Sequence, residues 1–175
     1  HTAPPFFQTA FDFAYQRKIQ GIPTVIAAPY CGPPGMPGSQ AESNTYCFRW
    51  YNLEEGEANE MRHELRFLSR NEAALMTGIQ PMAALPTGLI LYDMAAFDLI
   101  RPPYYHYEWT DAYQTEKGST EDVQNTRDIA LSGAARGYGE VCYATMDSWA
   151  GHIKVKTMGK PIVLGTEAIN QSLKD

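Results

Sequence analysis

Hydrophobic positions in this chain fall into short runs split by dense breakers, and their period changes several times. After Pro4-Pro5, the segment Phe6–Gln20 places Phe7, Phe11, Ala14 and Lys18 on one helical face, and Phe11, Tyr15 and Ile19 extend the apolar stripe. Gly21 and Pro23 stop it, so the pattern predicts a helix over 6–20. Thr24-Val-Ile-Ala27 is short, apolar and β-branched, which predicts a strand. Residues 29–45 then carry Pro29, Gly32, Pro33, Pro34, Gly35, Pro37 and Gly38. No regular element survives that density, so an extended loop or arm is expected.

Tyr46–Tyr51 alternates well enough for a strand. Asn52 with Glu55 approximates a capping box, and Met61, Leu65 and Leu68 recur at i, i+4 and i+7. Glu54, Glu55, Glu57 and Glu60 precede Arg62, Arg66 and Arg70, the charge order a helix dipole favours. Together these predict a helix over 53–77. Ser69 and Glu72 give a second cap signal within it, where the helix breaks and restarts, and Gly78 ends it.

The densest apolar stretch, Met82–Trp109, lies at mid-chain. The run Leu89–Ile100 puts Ile90, Met94 and Phe97 on one helical face and predicts a buried helix that Pro102-Pro103 terminates. Beyond it, Tyr105, Tyr107 and Trp109 share one side of an extended segment, opposite Tyr104, His106 and Glu108. Ala83–Ile100 approaches the length of a membrane span. Asp93 and Asp98, at roughly 2.5–3.5 kcal/mol each at a bilayer centre, argue against one. Further on, Ser119 and Asp122 open a helix running to Ala135, and Glu140–Met146 reads as a strand. Residues 152–157 and 161–164 flank Met158-Gly159 as a hairpin, and 166–175 forms a short helix. Without a βαβ rhythm, the fold class is α+β. The expected architecture is one domain over 1–175, with three to four helices, a small, mostly antiparallel sheet and a long Pro/Gly-rich loop.

Composition narrows the partners. With 175 residues, 44% hydrophobic and 19% charged, the chain supports a sizeable core. A net charge of −6 and no basic run argue against nucleic acid. Twelve prolines and 11 tyrosines among few charges suggest surface that serves as contact area in an assembly. The odd count of Cys31, Cys47 and Cys142 is no disulfide framework, although a Cys31–Cys47 bridge is sterically possible. A chain beginning at His1 is expected of a processed product.

Candidate chemistry is sparse. His63-Glu64 shares the start of the zinc-protease motif, but Phe67 stands where the second His is required. His1 offers an α-amine and an imidazole; with His106, His63 or His152 it makes three nitrogens for copper, with Tyr143 or Tyr107 axial. That brace occurs in copper monooxygenases, which are β-sandwiches, and nothing after His1 matches their motifs. Ser132–Gly139 lacks the Lys-Ser/Thr ending of a phosphate loop, so its glycines point to close helix packing. Cys142 has no His base in its sequence neighbourhood, and Asp93 and Asp98 sit on different faces of a helix.

The chain therefore reads as a non-catalytic accessory subunit of a larger assembly. An organellar membrane complex of the mitochondrial respiratory type fits its composition, close to a membrane but without a transmembrane helix. Tyr104, Tyr105, Tyr107, Trp109, Pro33 and Pro34 are the expected contacts with other protein subunits, with no cofactor. The alternatives are a secreted copper protein using His1 and His106, or a small soluble enzyme.

Overall fold

A computed structural model describes residues 5–30, 44–53, 62–105 and 121–150. In chain order these contain α1 (Phe6–Ile19), β1 (Val25–Ala27), β2 (Asn44–Leu53), β3 (Arg62–Ser69) and α2 (Arg70–Ala74). There follow β4 (Ile79–Pro81), β5 (Ile90–Tyr92), a 3-10 helix (Met94–Leu99), α3 (Glu121–Ala135) and β6 (Cys142–Thr145). The fold is α+β.

Four strands form a mixed sheet in the order β4-β6-β1-β5. Val25 pairs with Cys142 in the parallel β1–β6 ladder, while β5 joins β1 and β4 joins β6 antiparallel. β1 and β6 are covered on both faces, which is why they read as unbroken apolar runs. Val25, Ala27, Cys142 and Ala144 point into the main core with Leu68, Leu85, Leu99 and Ile129. The intervening Ile26 and Tyr143 point the other way, onto Phe6 and Ala10 of α1. The sheet thus lies between α1 on one side and α3 with the 3-10 helix on the other.

Three expectations are corrected. The region predicted as a helix over 53–77 contains β3 over Arg62–Ser69, and helix begins only at Arg70. β2 supplies an antiparallel partner, with Phe48 opposite Phe67 and Trp50 opposite Leu65. In a strand, Leu65 and Leu68 fall on opposite faces. Leu65 joins Phe48 and Ala84, whereas Leu68 enters the main core. The spacing of three that suggested a helix is equally a strand buried on both sides. The second cap signal is real: Ser69 Oγ accepts from Glu72 N at 3.2 Å, and Glu72 Oε2 accepts from Ser69 N at 3.0 Å. Residues 54–61, where the predicted helix would start, lie outside the described residues.

The run Leu89–Ile100 is likewise not one helix. It is β5, a break at Asp93, and the 3-10 helix. Asp93 Oδ1 accepts from Ala95 N at 3.2 Å, so the acid caps the turn it starts. Finally, the extended strip expected after Pro103 does not hold at its described end. Tyr105 has a φ of 57°, and Tyr104 and Tyr105 turn back onto Phe97 with ring centroids 5.2 and 6.5 Å away. The arm at 31–43, the Ser119 start of α3, the 152–164 hairpin and the 166–175 helix lie outside the described residues.

Candidate interaction surface

The apolar stripe of α1 read from the sequence is not its buried face. Phe6, Ala10 and Ala14 are the residues that bury against the sheet. Small alanines let the helix lie close, and Arg17 fastens its last turn. Arg17 Nε donates to Thr24 Oγ1 at 3.0 Å, and an Nη2 hydrogen bond reaches the Glu140 carbonyl. The guanidinium also sits 4.9 Å from the Tyr143 ring centroid, a cation–π contact.

With that face inward, the i, i+4 series Phe7, Phe11, Tyr15 and Ile19 points out, 62%, 58%, 52% and 65% exposed. Phe11 and Tyr15 stack 6.0 Å apart, nearly parallel at 10°, so the series forms a continuous ridge. Beside the ridge runs a groove of about 220 Å³. Ala14 lies between its walls, which are Phe11 and Tyr15 on one side and Leu91, Tyr92 and Met94 on the other. Met94 is 71% exposed. Charge here is nearly balanced: Lys18 Nζ lies 3.4 Å from Asp93 Oδ1, and Asp12 accepts from Gln8. The patch is thus apolar, with few charges along its edge.

A second, open groove of about 530 Å³ lies between Ile100–Pro103 and α3, lined by Arg101, Asn125, Asp128 and Leu131 among others. The carboxylate on its wall, Asp128, is taken up by Arg127 at 2.8 Å. Behind it, Tyr92 Oη has Tyr105 and Asn125 as neighbours. Tyr92 Oη and Asn125 Nδ2 are buried and close no hydrogen bond of ordinary geometry. Burial, reinforced by Tyr105, holds the Tyr92 phenol far above its usual range, so it is protonated at neutral pH. Among the described residues, no acid–base pair converges in this groove.

The other sequence candidates separate. Cys142 is fully buried, its Sγ is 3.4 Å from the Thr126 carbonyl, and burial pushes its thiol far above the usual value. A thiol held protonated is not a nucleophile. Tyr143 Oη donates to the Glu140 carbonyl at 3.0 Å within the α1–sheet interface. Asp93 caps the 3-10 helix while Asp98 is exposed, so they form no working pair. Gly133 packs closely: a Cβ there would come within 2.7 Å of Val141 Cγ2. Of the expected contact residues, Tyr104 and Tyr105 are about 40% exposed, at 42% and 38%. Tyr107, Trp109, Pro33 and Pro34 lie outside the described residues, as do His1, His106, His152 and Cys31. Among the described residues, no group of three His, Cys, Asp or Glu could hold a metal ion. Nor is any described helix long and apolar enough to cross a membrane.

Sequence reasoning missed the outward aim of Phe7, Phe11, Tyr15 and Ile19, and it missed Met94. The available signal was that α1 is apolar on two sides: large residues at 7, 11, 15 and 19, and alanines at 10 and 14. One side must face outward, and the small residues mark the closer packing. No family model, curated protein or solved structure matches the chain.

Proposed function

We propose that the chain is a non-catalytic accessory subunit of a larger protein assembly, held there through the outer face of α1. The observation that carries this reading is the ridge Phe7-Phe11-Tyr15-Ile19 with Met94 beside it, more than half exposed on a well-packed helix. A patch of about 500 Å² is in the range of the largest apolar patch on a typical monomer, and patches of that rank are often functional.

The test is the state of the chain in extracts of its source, measured by sizing with light scattering. The expected result is a complex well above 19.6 kDa that the double variant Phe11→Asp/Tyr15→Asp leaves, while its melting temperature stays within a few degrees of wild type. A monodisperse 19.6 kDa species in the extract overturns the reading.

A further inference from the structure

The ridge on α1 has a geometry that selects its partner. Its members are spaced uniformly by four residues, so they form a single i±4n ridge. Packing i±4n ridges into the grooves of a second such surface gives the commonest helix-crossing class in globular proteins, at roughly −50°. The groove such a ridge needs is present on the same face. It runs alongside the ridge, with Ala14 between Phe11/Tyr15 and Met94. A patch carrying both a ridge and its matching groove is self-complementary, the condition for a twofold interface.

We propose that this face pairs with the same face of a second copy of the chain about a twofold axis passing between Phe11 and Tyr15, a proposal that rests on the assembly reading above. The two α1 helices run antiparallel. Phe11 and Tyr15 of each copy then meet at the crossing point, with Phe7 and Ile19 flanking it toward the helix ends. Antiparallel alignment also sets opposite helix-dipole ends against one another. The area is sufficient for a reversible dimer. A buried aromatic side chain contributes 150–250 Å², and these residues retain somewhat more than half of theirs. Three aromatics with Ile19 and Met94 supply at most about 500 Å² per copy and about 1,000 Å² in all, the size of a weak, transient interface. The near-neutral flanks, with Lys18 beside Asp93 and Asp12 beside Gln8, raise no strong like-charge repulsion between copies.

Sedimentation equilibrium of the purified full chain over a wide concentration range tests the pairing, with melting temperature measured alongside. The expected result is a concentration-dependent dimer. Phe11→Asp on the ridge and Met94→Glu on the groove wall should each raise the dimer Kd at least about tenfold without altering the melt of the monomer. Leu75→Asp, at the exposed apolar residue that caps the C-terminus of α2, should leave the Kd unchanged. A dimer indifferent to both ridge and groove variants overturns the pairing. A monomer that Phe11→Asp destabilises by several degrees also overturns it, by assigning the ridge to other residues of the same chain. A wild-type monomer that is recovered from its source bound stoichiometrically to a different chain, and released by Phe11→Asp, overturns the pairing but leaves the assembly reading standing. A monomer with no partner in either setting removes both.

Discussion

Arg17 shows how one side chain can fasten a helix to the sheet it covers. It meets Thr24, the Glu140 carbonyl and the Tyr143 ring at once, tying α1 to the loop before β1 and to the turn before β6. Arg17→Ala should therefore lower unfolding free energy by about 2 kcal/mol, from the lost charge-assisted hydrogen bonds and cation–π contact. Chemical denaturation measures it, and a loss below about 0.5 kcal/mol would show that the clamp is incidental. Gly133 is a second such position. Alanine is the better helix former by about 1 kcal/mol, yet its Cβ would clash with Val141. Overpacking of this kind costs about 1–3 kcal/mol, so Gly133→Ala should destabilise despite its propensity. Cys142 sets a pH dependence. Its folded-state pKa lies above the ordinary 9.0, so above that pH the unfolded chain binds fewer protons than the folded one. Stability contributed by the neutral thiol is complete below pH 9 and falls as pH rises beyond it, by up to about 1.4 kcal/mol per pH unit. Denaturation midpoints between pH 8 and 10.5 should fall, and Cys142→Ala should flatten the slope.

At the level of elements, the readable parts were those whose signal is local. Gly21 and Pro23 end α1, the Ser69–Glu72 pair starts α2 as a reciprocal cap, and the β-branched run at 24–27 becomes β1. Ser69→Ala should remove about 1 kcal/mol and fray α2, visible as faster amide exchange at Asn71–Ala74. Where a tertiary partner decides, local spacing misleads. Arg62–Ser69 carries leucines at a helical interval and glutamates ahead of arginines, yet pairing with β2 makes it a strand. Ile90–Tyr92 could begin a helix, but β1 offers it a sheet edge and Asp93 prefers to cap. The same limit hid the interaction surface: the sequence shows two apolar sides on α1, and only the position of the sheet decides that Ala10 and Ala14 go in and Phe11 and Tyr15 go out.

Across the described residues, the arrangement is a mixed sheet whose central strands β1 and β6 are buried on both faces, with one covering helix apolar on two sides. If the proposed assembly forms through the outer ridge, ionic strength should distinguish how it is held. An apolar interface with balanced flanks should persist or strengthen in high salt, whereas a charge-driven one would dissociate. Sizing the complex at about 0.05 and 1 M NaCl makes that comparison. The parallel pairing of β1 with β6 carries one more consequence, and it concerns biosynthesis. Val25 cannot meet Cys142 until the ribosome has made nearly the whole described chain. At 5–20 residues per second, β1 waits on the order of 6–25 s for β6, and until then the α1 face that packs on Tyr143 is only partly covered. During that interval the nascent chain is a natural client for a chaperone or for an early-bound copy of its own partner.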